Sequence, residues 1–463
     1  MDRANNAQQK RTKTPSRSFL QSAPASVMKP RLMVILSATA LLVLGLVMVF
    51  SASSITGYVE QGSAISEAVK QVGYSVLGIV AIVLIVAFCS EERLRGRLGL
   101  AYWIFCMGLI LITAVMGTVG LGAKRWLVIG SISLQPSELA KIAIAIMTAR
   151  IICDLNEGTI DAVGFVKRVV IYVLGPLALI LVAQSDLGTT MICLVAFIIA
   201  VWLGGASPRV IGGIIAAVVV LGIIMTVTTG YRSDRMSFLN PWADPDGTGY
   251  QLIHSFKAFA AGGLFGLGIG NSYEKLLYLP EAETDFIFSI IGEELGLVGA
   301  LLVVALFLVF LRGGLHIARQ ASSDFGLVLV GSLSAMLVFQ AYLNIACVLG
   351  LFPTTGKPLP FISSGGSSLV SSLLIVGIIL MISFKSSKSK EIKNKRDNLR
   401  VVTSYSSPSI RNERDRSGQF GGRPLSTSGQ SAMMRGAPRS RRSHNNQAGF
   451  GPDRLRDTTS RRR

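Results

Sequence analysis

Apolar runs recur along the whole chain, each long enough to cross about 30 Å of hydrocarbon as a helix. The first five lie near Leu32 to Ser51, Val72 to Cys89, Leu98 to Gly117, Pro136 to Cys153 and Val169 to Ala183. Five more lie near Thr189 to Gly204, Val210 to Thr229, Phe286 to Phe310, Leu327 to Gly350 and Gly366 to Phe384. The pattern predicts an all-α polytopic membrane protein with about ten transmembrane helices. The first run is too long for a cleaved signal sequence and reads as an uncleaved anchor.

The polar segments between these runs alternate in charge. One set carries Arg93, Arg95 and Arg97, then Arg150, Lys167 and Arg168, then Arg209, then Arg312 and Arg319, together with both basic ends of the chain. The positive-inside rule makes that side cytoplasmic, with both termini on it. The opposite segments begin near Ala52, Thr118, Gln184, Gly230 and Leu351, and the one after Gly230, between the seventh and eighth helices, is long enough to suggest a structure or function of its own. Three regions follow: a disordered basic N-terminus over 1–31, a membrane domain over 32–384, and a disordered basic tail over 385–463.

Composition agrees with bilayer as the solvent. The 463 residues are 50% hydrophobic and 15% charged, with a mean hydropathy of +0.54. The net charge of +19 is spread over the tails and alternate loops, so it fixes orientation and does not point to nucleic acid. Lys385, Lys388, Lys390, Lys393, Lys395 and Arg396 directly follow the last helix, where anionic membrane lipids are the expected partner. The five cysteines, Cys89, Cys106, Cys153, Cys193 and Cys347, sit in or beside apolar runs without paired spacing and read as small core residues.

Chemistry-bearing residues gather on the other side. The segment after Thr118 pairs Lys124, Arg125 and Trp126 with a helix start at Gln135-Pro136-Ser137-Glu138, Pro standing at a first helical position. Lys141 follows Glu138 by three residues on one helix face, and a mutual ion pair would relieve the cost of both charges in the membrane. That pair reads equally as a packing lock and as a functional site. Gln184-Ser185-Asp186-Leu187-Gly188 reads as an Asx turn between two helices. In the long loop, Gly249 to Ala261 predicts an amphipathic or re-entrant helix, and the glycines of Gly262 to Asn271 predict close backbone packing, since no strand precedes them to make a phosphate loop.

Leu279 to Gly296 places Glu281, Glu283 and Asp285 at the mouth of the eighth helix and Glu293 and Glu294 inside it. Asp285 there reads either as an N-cap or as one member of an acidic outer cluster. The last outer loop, Pro353 to Ser368, combines Pro, Gly and hydroxyl residues with Lys357, a composition suited to an anion such as pyrophosphate.

Together, in this order, these segments resemble the SEDS family of peptidoglycan glycosyltransferases, over roughly Leu32 to Phe384. GYQLIHSFKAFAAGGLFGLGIGNSYEKLLYLPEAETDF is closer to the cell-division branch of that family than to its elongation branch. The resemblance implies polymerisation of lipid II on the outer side of the bacterial inner membrane, at the septum, with release of undecaprenyl pyrophosphate. It makes Asp285 the essential acid. The GA-x-RW motif falls on Gly122, Ala123, Arg125 and Trp126, and QPSE-x-x-K on Gln135 to Lys141. Two positions depart from the family pattern: Ser185 stands for the Pro of QPDLG, and Ser364 for the Tyr of PFxSYGGSS, between Ser363 and Gly365-Gly366.

The implied site comprises Asp285 as base or cation ligand, with Arg125, Trp126, Glu138, Lys141, Asp186, Arg232, Arg235, Glu281, Lys357, Ser363, Gly365 and Gly366 around substrate. Arg125, Arg232, Arg235 and Lys357 are the candidates for the diphosphate. No cofactor is obligatory, with magnesium or manganese as an optional ion. A class B penicillin-binding transpeptidase and a septal activating complex are the partners the resemblance implies. A lipid II transporter and a non-catalytic division scaffold are the rival classes; acids clustered outside rather than at the midplane favour the enzyme.

Overall fold

The computed structural model describes residues 25–120, 123–129, 132–228 and 238–405. Arg232 and Arg235, the chain before residue 25 and the tail beyond residue 405 lie outside the described residues. Two units divide the chain: Met1–Val402, which holds the whole membrane part, and Thr403–Arg463, of which only the end of the last helix is described.

All ten apolar runs are helical. The first three become α1 (Ala25–Gln61), α2 (Ser66–Phe88) and α4 (Arg97–Met116), with a short α3 (Glu91–Arg95) between the last two. Next come α5 (Pro136–Asn156), then α6 (Ala162–Val169) and α7 (Gly175–Ala183) on either side of a π-helical turn, then α8 (Leu187–Leu203) and α9 (Pro208–Thr228). The outer loop contains α10 (Tyr250–Gly262), as its amphipathic pattern predicts, and α11 (Ile287–Arg319), α12 (Asp324–Val348) and α13 (Gly366–Tyr405) complete the set. Among the described residues, seven helical stretches are long and apolar enough to cross a membrane. The apolar parts of α8 and α9 are shorter, and α5 is diluted by Glu138, Lys141, Arg150 and Asp154.

Three features depart from the sequence expectation. Residues after Thr118 form a small antiparallel sheet, β1 (Thr118–Gly120), β2 (Ala123–Ile129) and β3 (Ile132–Leu134), in that order. Its register pairs Thr118 with Trp126 and Leu127 with Leu134; β-branched residues flanking tight turns favour such hairpins. Helix α1 continues to Gln61, past the expected end at Ser51. Helix α13 runs on to Tyr405 where structureless tail was expected from Lys385. Lys, Arg and Glu are good helix formers, and Glu391 precedes Lys395 by four residues, so a helix started in the apolar run propagates into the basic stretch.

The π turn at Val170–Leu174 has a clear cause in Pro176. Its missing N–H leaves the Tyr172 carbonyl without a helical donor, and the Trp103 indole N–H of α4 donates to that oxygen at 3.1 Å. The ladder slips locally, with Gly175 N–H reaching Val170 O.

Helices α12 and α5 form the buried centre, with α1 and α11 packed lengthwise against each other and α8 against α12. Core positions include Ile142, Ile146, Phe307, Leu329, Leu333 and Ile379, all essentially inaccessible. Helix α2, by contrast, exposes Val69, Val72, Val76, Val80 and Val83, the surface expected of a lipid-facing helix. At one edge Arg31 of α1 donates to Ser383 Oγ at 2.8 Å and Ser383 O at 2.6 Å, which ties the first helix to the last.

Candidate active site

The acidic segment before α11 folds as a tight turn. Glu281 adopts a φ of 57°, and its carbonyl accepts from the amides of Thr284 at 3.2 Å and Phe286 at 3.1 Å. Helix α11 starts only at Ile287, and Phe286 holds the cap position without a side-chain bond. Asp285 is therefore not an N-cap. Burial and the neighbouring Glu281 carboxylate push Asp285 up to about 6, against the opposing pull of Lys357 and Arg125.

Two loops meet at this carboxylate. Asn344 Nδ2 of α12 donates to Asp285 O at 2.7 Å and to Lys357 O at 2.8 Å. Ser364 N–H donates to Glu283 O at 2.8 Å, a second tie between the loops. Gly356 lies at φ 64°, where any other side chain would strain the backbone, and a Cβ there would stand 3.4 Å from Asp285 Oδ2, at contact distance, so the loop runs directly past the carboxylate. The Asp285 carboxylate itself carries no hydrogen bond among the described residues, which leaves it available to an incoming group.

Beneath it runs a buried line of alternating charge. Lys357, 1% exposed, donates to Asp186 Oδ2 at 2.7 Å and lies 4.0 Å from Glu138 Oε1. Glu138 Oε2 accepts from Lys141 Nζ at 2.6 Å, and Lys141 also reaches Gln340 Oε1 at 2.7 Å. Asp186 caps α8 by accepting from Thr189 N–H at 3.0 Å and takes further bonds from Ser137 at 3.1 Å and Thr189 Oγ1 at 2.8 Å. Burial works against its charge, but Lys357 and Thr189 hold it below the usual carboxylate range. The predicted Glu138–Lys141 pair is present, whereas Asp186 makes a helix N-cap bond three residues on in place of the predicted Asx turn; both acids belong to one array. Lys357 is committed to that array and is not a free clamp for a diphosphate.

The other candidates divide by position. Arg125 on β2 donates to Gln184 O and Ser185 O, each at 2.8 Å, and so pins the sheet to the Asp186 turn. It remains partly accessible and acts electrostatically on Asp285. Trp126 is half-buried beside it. Glu281 is exposed and accepts from Thr284 Oγ1 at 2.6 Å. Ser363 serves the loop itself, its Oγ accepting from Leu359 N–H at 2.8 Å and its carbonyl from Gln71 Nε2 at 3.0 Å. The Gly365 carbonyl accepts from Leu369 N–H at 2.9 Å and so opens the first turn of α13, and Gly366 is packed under the Tyr74 ring, where a Cβ would come within 2.4 Å. These last three shape the loop, with Ser363 buried and the two glycines partly exposed.

The glycine-rich segment has the role its sequence predicts. Helix α11 is broken at Gly296, with φ 68° and ψ −166°, and the freed carbonyls of Glu293 and Glu294 accept from Leu267 and Gly268 amides at 2.9 and 3.0 Å. Glu294 takes Lys275 Nζ at 3.0 Å and Ser51 Oγ at 2.6 Å, while Glu293 takes Tyr273 N–H at 2.8 Å and Ser272 Oγ. Both acids are thus fully engaged in anchoring the outer loop.

Sequence reading missed Gln340 and Asn344, which orient both lysines' surroundings from α12. Their spacing of four in an otherwise apolar helix was the available signal, since polar groups that share one buried face need common partners. Among the described residues, no group of three or more His, Cys, Asp or Glu side chains is placed to cage a metal ion. Asp285 with Glu281 suits only an ion that also takes oxygens from a phosphate ligand, the usual arrangement for magnesium.

Comparisons with known proteins agree with this geometry. A family model described as cell cycle protein, spanning FtsW, RodA and SpoVE, matches residues 31–388. The chain is 37% identical over 356 residues to the probable peptidoglycan glycosyltransferase FtsW of Geobacter metallireducens, covering 76% of this chain and 94% of that protein. It is 36% identical over 370 residues to the stage V sporulation protein E of Bacillus subtilis, covering 76% and 97%. A solved structure described as the structural coordination of polymerization and crosslinking by a peptidoglycan synthase complex superposes with a TM-score of 0.63 at 26% identity, over 79% of this chain and 99% of that one. The rod shape determining protein RodA of Thermus thermophilus gives 0.56 at 25% identity, over 76% and 96%.

Proposed function

This chain belongs to the FtsW, RodA and SpoVE family of cell cycle proteins, and from that membership and the surroundings of Asp285 we propose that it is a peptidoglycan glycosyltransferase of the FtsW type that polymerises lipid II. The observation that carries the catalytic assignment is a carboxylate without a hydrogen-bond partner among the described residues, raised to about 6, at the junction of two loops tied together by α12. A base poised just below neutral pH is ionised yet able to take a proton.

In the proposed reaction the acceptor sugar hydroxyl attacks the anomeric carbon of the lipid-linked donor. A carbon–oxygen bond forms there, the bond to the pyrophosphate oxygen breaks, and the hydroxyl proton passes to Asp285. Arg125 is the accessible described cation beside the acid and stabilises the departing diphosphate; Arg232 and Arg235 remain candidates for the same task. Lys357 acts from beneath, through its loop and its field, rather than by contact. An ion held by Asp285 and Glu281 would neutralise charge on the diphosphate. The buried ions Glu138, Lys141, Glu293 and Glu294, all locked in partners, suit a fixed scaffold better than a moving transport path.

The site faces outward, with both ends of the chain inside, by the charge asymmetry of the loops, and the resemblance to FtsW proteins supports action at the division septum. A class B transpeptidase and the septal activating complex are its partners, in keeping with the synthase complex that the chain resembles. A cysteine at exposed Asp246 is expected to react with an impermeant maleimide from the outer face in intact cells; reaction only after the inner face is opened would reverse the topology.

The polymerisation rate is expected to rise with pH as Asp285 ionises. It should increase about tenfold per unit below pH 6 and level off above it. Initial rates between about pH 5 and 8 check this, and a profile flat across the acid limb would remove Asp285 from the proton transfer.

A further inference from the structure

Helix α5 carries the catalytic array at its first turns and ends, about 30 Å away, at a second set of charges that polymerisation does not use. There Arg95 clasps Glu157 with two bonds of 2.6 Å and Asp154 at 2.9 Å. Arg168 takes the other Asp154 oxygen at 2.6 Å. Those two arginines are satisfied. Arg150 stands 3.9 Å from Asp154, outside hydrogen-bond reach, and Lys167 has no partner among the described residues. Both line a cavity of about 520 Å³ between α4, α5 and α6.

The cavity is built of two kinds of wall. Arg150, Lys167 and Arg168 supply cationic donors at one end, against a single acid, Asp161, whose carboxylate is turned to the Gly164 amide at 2.9 Å. Leu100, Met147, Ile151 and Ile171 supply an apolar floor. That floor runs out onto a strongly apolar exterior, with Val163, Val166 and Val170 exposed along α6 and the π turn. The wide turn set by Pro176 brings the Tyr172 ring into the cavity wall. A free phosphate has no use for the apolar floor, and a neutral lipid none for Lys167 and for Arg150, whose long ion pair with Asp154 leaves its N–H donors without a hydrogen bond among the described residues. The two walls together fit one molecule that is anionic at its head and apolar behind it.

We propose that this cavity is a binding site for an anionic phospholipid, whose phosphate rests on Arg150 and Lys167 and whose acyl chains lie along α6 and the π turn. The site is at the basic end of the helices, where anionic headgroups gather and each cation adds about 1 kcal/mol of attraction. It is separate from the basic tail and from the glycan chemistry at the other end of α5.

Native mass spectrometry of the purified full chain titrated with phosphatidylglycerol, phosphatidylcholine or inorganic phosphate tests the proposal. Phosphatidylglycerol is expected to be retained about tenfold more tightly than phosphatidylcholine. The double variant Arg150→Gln/Lys167→Gln should lose that preference, and Arg209→Gln/Arg319→Gln, the same charge loss at exposed positions elsewhere on that side, should keep it. Ile171→Trp, which fills the cavity from a lipid-exposed position, should weaken retention without touching a charge, so the test survives if the double variant folds poorly. Equal retention of the two lipids, an unchanged preference in both cavity variants, or displacement of the lipid by millimolar phosphate would overturn it.

Discussion

Asp285→Asn is expected to abolish glycan polymerisation, lowering the rate by about 10² to 10⁴, the usual span for loss of a general base, while the protein stays folded and inserted. The structure sharpens the stability side of this expectation. Because the folded pKa of Asp285 is raised to about 6 from an ordinary carboxylate value, the folded chain binds more protons there than the unfolded one. Its contribution to stability is present at low pH and is lost as pH rises through about 6, so at neutral pH the ionised side chain is a liability. Asn removes that liability and leaves the backbone carbonyl bond to Asn344 in place. Thermal unfolding of the variant in detergent should therefore begin no earlier than wild type while lipid II consumption collapses. Glu283→Gln is the control, since it removes a neighbouring charge and keeps the carbonyl that accepts from Ser364 N–H. Near-normal polymer from Asp285→Asn would end the catalytic assignment, and early unfolding would recast the residue as structural.

The second large effect is expected at Lys357. Replacing it by Met strips the counter-charge from Asp186, which is 1% exposed, and leaving one member of a buried pair alone costs about 3 to 5 kcal/mol. Asp186→Asn should cost less, because Lys357 keeps Glu138 Oε1 within 4.0 Å. The double variant Asp186→Asn/Lys357→Met should be more stable than Lys357→Met alone, a coupling that a double-mutant cycle of unfolding temperatures reads directly. Additive losses would show that the two side chains do not depend on each other. Polymerisation by Lys357→Met should fall as well, since the loop that carries Gly356 against Asp285 is held from beneath by this pair.

Much of the fold was legible because a bilayer imposes a simple code. Ten apolar runs had to become helices, as every backbone polar group in hydrocarbon must be satisfied within its own segment. The Glu138–Lys141 pair was legible for a related reason, since neither charge is tolerable alone. What escaped was long-range partnering. Nothing local to Lys357 shows that its ammonium belongs to Asp186, on a loop distant in sequence, and the lysine therefore read as a clamp for substrate. Asp285 read as standing at the start of a helix because the acidic turn closed by Glu281 is set by a positive φ at a non-glycine residue, for which the sequence has no signal. The small sheet around Arg125 was hidden in a segment too short for clear alternation. Gln340 and Asn344 were visible as polar residues in an apolar helix, but their role emerges only when the carbonyls of Asp285, Lys357 and Pro358 are placed beside them.

We propose that this chain makes glycan, with Asp285 as the group that takes the acceptor's proton. The most direct measurement is the product formed by the purified full-length protein, reconstituted in liposomes with labelled lipid II, with and without its transpeptidase partner, alongside Asp285→Asn. Glycan chains are expected from the wild-type protein and none from the variant, with labelled lipid consumed only in the first case. Lipid II that crosses the bilayer unpolymerised, equally for both proteins, would contradict it.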